Sequence, residues 1–458
     1  MLTREENDAL CRVGPGTLMG DMVRQYWLPF YLSSELAADG PPVRVRLVGE
    51  DLIAFRATSG EVGLAGQHCP HRGASLFFGR NEEEGLRCVY HGWKFDVAGN
   101  CVDMPNEPAE SNFKHKIHHT AYPCRERNGV VWTYMGPLAE PPELPHLEWN
   151  MVPEAQVYHT IRIADNNFLQ TIEGEYDSTH IGFLHQILDP GDPASATEQI
   201  YVPRPGASGF LPYLARLDKS PVFETVDTEY GVLIATRRNA PDDSHYWRVY
   251  PFLLPFHTLI PPNGYDNPLQ GHAWIPMDDE HTICLCFTYH PTRPLSEDEQ
   301  NGVRLGFDGL EGLHPSADIF HPPSTRPYGK YWPKLDNDND FMFDYEAQRT
   351  NKRYSGLPGI WPQDSGMQQS MGFIYDRTKE HLGVSDSGQI RIRHRMLSAA
   401  RALRKDGTPP PGVERPGVFH LRPAEAVLPR STESWVDATR ELYRVEGAVK
   451  GLGTPAST

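Results

Sequence analysis

The sequence has no apolar run approaching the length of a membrane span. Its opening residues, MLTREENDAL, lack the basic-then-apolar pattern of a secretory leader. Both absences make a cytoplasmic protein the expectation. Cysteine is scarce: Cys11, Cys69, Cys88, Cys101, Cys124, Cys284 and Cys286 are seven in 458 residues. An odd, scattered set argues against a disulfide framework and leaves thiols available as metal ligands. Long basic stretches are also missing, with 43 Lys and Arg against 60 Asp and Glu and a formal charge of −17. Such a chain is not expected to bind nucleic acid or an anionic membrane. An anionic small molecule would need local arginines to offset the global field. No internal repeat is present.

What is there suits a globular protein. The chain is 39% apolar and 10% aromatic, enough for a sizeable core, and its length points to two domains. Residues 43 to 135 read as short strands between Gly-rich turns, a small all-β module: Val43, Val45 and Leu47 alternate with Arg44 and Arg46. The proline-rich stretch PLAEPPELP (137–145) marks a boundary, giving domains 1–140 and 141–458, with about the first 25 residues free to pack on the second. Beyond it, a helix is expected from Asn166 to Ile181. Strands are expected near 222–227, 232–238, 246–252, 271–276 and 281–289, and helices near 340–354, 367–381 and 389–404. Strands followed by helices predict an α+β fold with an antiparallel sheet.

Two constellations carry chemistry. In the first, Cys69-Pro-His71 and Cys88-Val-Tyr-His91 each place two ligand types on one tight loop, with Gly73 and Gly92 allowing the backbone to turn around whatever is held. Taken alone, the set would suit zinc or a [2Fe–2S] cluster held by two Cys and two His. In the second, Glu173, Asp177 and His180 fall on one helical face, and His185 follows five residues later. Both histidines reach one metal only if the helix ends or distorts near Gly182. Two His and one carboxylate leave open positions on Fe(II). The acids from Asp336 to Asp344 include a calcium-loop-like pattern. Phe341 and Ala347 stand where that loop needs Gly and Glu, so calcium is set aside.

CPHRGASL followed by CVYHGWKFD, then DSTH and FLH, resembles the Rieske non-haem iron aromatic-ring oxygenases. The closing segment IYDRTKEHLGVSD (374–386) is similar to the phthalate dioxygenase-like group of large subunits, and the likeness runs from about residue 10 to about 405. Ala74 and Tyr90 stand where respiratory Rieske proteins carry a disulfide, so the resemblance implies the oxygenase branch. It implies Cys69 and Cys88 on the inner iron of a Rieske cluster and His71 and His91 on the outer one. His180 and His185 are implied as ligands of a mononuclear Fe(II), with a downstream carboxylate, best Asp340 and otherwise Asp344. Asp177 is implied as the bridge to a Rieske histidine of a neighbouring subunit, in a head-to-tail homotrimer or homohexamer. The implied fold is a small all-β cluster domain with a larger helix-grip-like catalytic domain.

The implied activity uses O2 and electrons from an NAD(P)H-dependent flavin/iron–sulfur reductase to oxidise an aromatic substrate. A phthalate-like carboxylate undergoing ring dihydroxylation is favoured. Monooxygenation or O-demethylation of a methoxylated acid is the alternative, and a purely electron-transferring Rieske protein the rival. Arg216, Arg237, Arg238 and Arg248 lie in the expected substrate domain, Arg216 and Arg248 being the preferred carboxylate partners. Strand alternation turns at most one of Arg237 and Arg238 inward.

Overall fold

The computed structural model describes residues 2–108, 110–186, 210–262, 267–305 and 319–445. The Val/Arg alternation at 43–47 becomes a strand, Val43–Leu47, whose Val45 and Leu47 are buried. It joins Glu50–Arg56, Val62–Gly66 and Ala121–Tyr122 in one antiparallel sheet. A second small sheet runs Arg80–Glu82, Gly85–Arg87, Lys94–Phe95 and Cys101–Asp103. Between them lies a local core of Ile53, Phe55, Leu76, Leu86, Trp93 and Phe95, in which Cys69 and Cys88 are buried.

The larger part is built on an eight-stranded antiparallel sheet. Its order is Val157–Ala164, Thr282–Tyr289, Leu269–Pro276, His257–Ile260, Ser244–Leu253, Gly231–Ala240 and Val222–Asp227, with Ala424–Pro429 also paired to Ser244–Leu253. Five of these strands match expectation to within a few residues. Val157–Ala164, His257–Ile260 and Ala424–Pro429 were not foreseen. The register places Thr160 and His272 opposite Cys286, and Arg162 and Trp274 opposite Cys284. Because side chains alternate with period two, these residues share one face of the sheet.

The 20-residue helix Ser387–Asp406 grips the far end of the sheet, against Val222–Asp227 and Gly231–Ala240. It buries Ile392, Met396, Leu397 and Ala400, one stripe at helical spacing, with about 1.5–3 kcal/mol for each large side chain. Gly407 ends it in the left-handed conformation, φ 75°. The N-terminal helices Arg4–Cys11 and Leu18–Val23 pack on the same helix.

Three expected helices are corrected, the one over 340–354 being reduced to Tyr345–Arg349 after the 3-10 turn Asn337–Met342. The helix expected over 166–181 is Phe168–Glu175, and His180–Gly182 forms a separate 3-10 turn. The helix expected over 367–381 starts earlier and spans Ile360–Ser370. Its signals are Gly359 at φ 71° and Pro362 in the first turn, both compatible with a helix start.

Candidate metal centres and the cavity between helix and sheet

The two Cys-His loops are copies of one turn. Cys69 N–H donates to the Ala74 carbonyl and Cys88 N–H to the Trp93 carbonyl, each at 2.8 Å. Gly73 N–H returns to the Cys69 carbonyl and Gly92 N–H to the Cys88 carbonyl, each at 2.9 Å. Both turns need φ near the left-handed region, 76° at Gly73 and 85° at Gly92, which glycine adopts without a Cβ penalty. A Cβ on Gly92 would also stand 2.6 Å from Pro105.

The loops face each other, with the His71 and His91 rings 4.5 Å apart and Trp93 stacked on His71 at 4.4 Å. Burial pushes the Cys69 thiol up to about 11, so metal binding there must release a proton. Among the described residues, no three of these four donors lie within 4.8 Å of one another. One zinc ion with bonds of about 2.0–2.3 Å needs its ligands closer than that. The wider spacing, with two buried sulfurs and two outer imidazoles, fits a two-iron cluster.

The second centre forms where the chain leaves the helix Phe168–Glu175. Asp177 accepts from Thr179 N–H at 2.7 Å and from the Thr179 hydroxyl, a turn that aims His180 back toward His185. The two histidine Nε2 atoms are 3.0 Å apart. Asp364 Oδ1 lies 3.2 Å from His185 Nε2 and 3.6 Å from His180 Nε2. An octahedral face with bonds of about 2.1 Å has edges of about 3.0 Å, so this triangle fits one ion in a two-histidine, one-carboxylate arrangement. The outer nitrogens are held too: His180 Nδ1 lies 3.5 Å from Asp177 and His185 Nδ1 lies 2.6 Å from Gln363 Oε1. Burial works to raise the Asp364 carboxyl, but His185 and His180 outweigh it and hold it below the ordinary range. Asp177 is likewise raised by burial but pulled lower by His180 and Thr179.

Asp364 stands where Asp340 was expected. Asp340 is exposed in the turn Asn337–Met342 at a left-handed φ of 48°, and is not among the residues gathered at the histidines. Asp344, also exposed, caps the helix Tyr345–Arg349 by accepting from Ala347 N–H at 2.9 Å. The acids of this stretch thus serve local turns and caps. Glu173 turns away from the centre. It is half-buried against Arg377 at 2.8 Å and Arg393 at 2.5 Å, tying its helix to the C-terminal part of the chain.

The triangle opens on a cavity of about 310 Å³, within the range of small-molecule sites. Its sheet wall includes Arg162, Arg248, His272, Trp274 and Cys286, and its helix wall Trp361 and Gln368. Of the four arginines expected as substrate partners, Arg248 lines this cavity. Its guanidinium donates to Tyr250 and Tyr246 hydroxyls and to the Pro261 and Pro262 carbonyls. Arg238 is buried and donates to Ser178, while the partly exposed Arg237 contacts His245. The Arg216 side chain lies outside the described residues. Arg162, which was not foreseen, sits over the Trp361 ring at 4.8 Å. Its strand, Val157–Ala164, was itself missed, although its period-two pattern was readable.

A family model described as a Rieske [2Fe-2S] domain matches residues 26–122, and one described as LigXa C-terminal domain like matches 133–306 and 325–451. The chain belongs to the Rieske non-haem iron oxygenases. The 3-chlorobenzoate-3,4-dioxygenase oxygenase subunit of Comamonas testosteroni is 39% identical over 98% of this chain and 100% of its own. The phthalate 4,5-dioxygenase oxygenase subunit of Pseudomonas putida is 38% identical over 88% of this chain and 87% of its own. Among solved structures, the terminal oxygenase of carbazole 1,9a-dioxygenase from Novosphingobium sp. KA1 matches in fold over 89% of this chain and 96% of its own, with TM-score 0.53 at 18% identity. This Rieske oxygenase is therefore an oxidoreductase whose cofactors are a [2Fe–2S] Rieske cluster and a mononuclear iron. No helix among its described residues is long and apolar enough to cross a membrane.

Proposed function

We propose that this oxygenase oxidises an aromatic carboxylate by ring dihydroxylation. In this reading His180, His185 and Asp364 hold the mononuclear iron, Cys69 and Cys88 one cluster iron, and His71 and His91 the other. One observation carries it: the His180–His185–Asp364 triangle and two buried arginines line the same cavity. Bound iron supplies open coordination positions for dioxygen, and the cluster supplies single electrons.

The residues of this chain bind and orient. Trp274, Trp361 and Tyr250 give the cavity flat apolar surfaces for a ring. Arg162, on the cavity wall beside Trp361, pairs with the substrate carboxylate, and Arg248 lines the same cavity. Asp177 orients His180 and passes electrons from His71 or His91 of a neighbouring chain in a head-to-tail ring of three or six. The electron donor, a flavin/iron–sulfur reductase, docks at the exposed rim beside the cluster loops, where Val89 and Tyr90 are more than half exposed. The two relatives named for 3-chlorobenzoate and phthalate support an acidic aromatic substrate.

The test is turnover by the anaerobically purified holoenzyme with a reductase, NADH and a panel of benzoate, phthalate and methoxybenzoate. A cis-diol carrying both atoms of labelled O2 is the expected product. Arg162→Met should then raise KM more than it lowers kcat. Formaldehyde release from methoxybenzoate without diol would replace dihydroxylation by O-demethylation. Oxygen uptake indifferent to every acid in the panel would overturn the substrate class.

A further inference from the structure

His272, Cys286 and Glu175 of the cavity wall, and Cys284 buried beside them, are not used by this reading. His272 lies on the strand Leu269–Pro276, and Cys284 and Cys286 lie on Thr282–Tyr289. His272 and Cys286 are direct cross-strand partners, and Cys284 is two residues from Cys286 on the same face. The two sulfurs are 3.4 Å apart, and both cysteines are free. One ligand atom from each of His272, Cys284 and Cys286 falls within 4.8 Å of the others. Glu175 Oε2 lies 3.1 Å from His272 Nδ1, which leaves the other ring nitrogen for the sulfurs. Glu175 Oε1 is buried with no hydrogen-bond partner.

We propose that His272, Cys284 and Cys286 form a further metal site, for a thiophilic divalent cation of the zinc class. Two thiolates and an imidazole are soft ligands that prefer such ions to hard cations. Tetrahedral zinc with bonds of about 2.3 Å sets its sulfurs about 3.7 Å apart, a small opening from the present separation. Glu175 fixes the imidazole orientation, as carboxylates commonly do behind metal-bound histidines. Binding one cation displaces two protons from the His272, Cys284 and Cys286 group into solvent, so charge balances without any redox change. His272, Cys286 and Glu175 also line the cavity that the iron ligands face, so an ion held here reduces the room for substrate. The site is a place for inhibition by thiophilic metals, distinct from exchange at the iron centre.

The experiment is anaerobic titration of the holoenzyme with Cd2+, whose thiolate bonds absorb in the ultraviolet. The expected result is one Cd2+ per chain with a new thiolate-to-metal band, and protection of Cys286 from iodoacetamide as read by peptide mass spectrometry. The Cys284→Ser/Cys286→Ser double variant should lose the band, with Cys286→Ala taking its place should the double variant fail to hold its cluster. Glu175→Gln should weaken Cd2+ binding roughly tenfold or more. Asp364→Ala, which disrupts only the histidine–carboxylate triangle, should keep the band. No band in the unmutated protein, a band that survives loss of the cysteines, or a band lost in Asp364→Ala would overturn the proposal. None of these readouts depends on the substrate.

Discussion

Arg238 donates to the hydroxyl of Ser178, at 3.0 Å, and also to its backbone carbonyl. Ser178 follows Asp177 in the chain, so a buried guanidinium on the sheet anchors the turn that presents both Asp177 and His180. Burial, together with the neighbouring Arg248 charge, pulls Arg238 below its ordinary value, and the bonds to Ser178 and to the Asp218 carbonyl offset that cost. Arg238→Met should therefore cost roughly 2–4 kcal/mol of stability and loosen the mononuclear iron while the cluster stays intact. Thermal unfolding with iron and sulfide analysis measures both; unchanged iron retention would show that the turn does not need its anchor.

Asp177→Asn should keep both metal centres, because the Asn side-chain oxygen can still accept from Thr179 and Asp177 meets His180 at its outer nitrogen, away from the metal face. Turnover should nevertheless fall roughly 10–100-fold or more. Single-turnover reduction of the mononuclear centre from a prereduced cluster is the direct measurement. Wild-type transfer rates in the variant would remove Asp177 from the electron path.

Asp364→Ala and Asp340→Asn form a discriminating pair. The first should lose the mononuclear iron and leave cluster iron and sulfide unchanged; the second should lose neither. The reverse pattern would restore Asp340 as the ligand and leave the triangle around Asp364 without a metal.

Asp278 joins the two parts of the molecule. It accepts from Arg46 on the first β module at 2.8 Å and from His281 on the sheet at 2.9 Å. Burial alone would raise its carboxyl, but His281 and Arg46 bring it down to about 2, and His281 is raised in turn by Asp278 and Asp165. The depressed carboxyl stabilises the fold above its unfolded value near 3.9, and that contribution fades as pH falls toward 2. The raised imidazole contributes below its unfolded value of about 6.5 and is lost as pH rises through its folded value. Wild type should exceed Asp278→Asn by about 1–2 kcal/mol between roughly pH 5 and 6, after allowance for solvent screening. The gap should narrow on either side. Thermal melts of the two proteins across pH check it, and a gap independent of pH would show that neither pair contributes.

Much of this was legible in the residues. The two Cys-His loops announce their own geometry, since each carries its ligands and its turn glycine within five positions. The sheet was readable where Val, Ile, Tyr and Trp dominate, as in Ser244–Leu253. The helix Phe168–Glu175 ended earlier than its periodicity suggested because the Asp177–Thr179 hydrogen bonds compete with helical ones, a local preference that acids and hydroxyls share. Asp364 was hidden by a richer decoy. Four acids between Asp336 and Asp344 suggested a ligand, whereas the chain needs only one carboxylate, on a helix opened by Gly359. The cross-strand meeting of His272 with Cys286 rests on register, which no local pattern encodes.

The division of the cavity has an evolutionary reading. The iron-facing residues come from helices and turns, while Arg162, His272, Trp274 and Cys286 come from alternate positions of three adjacent strands. A strand position facing the cavity can change without shifting its neighbours, which face the other side. Selection, or a laboratory library confined to those alternate positions, can therefore redraw which ring enters the enzyme while the oxidising centre remains the same.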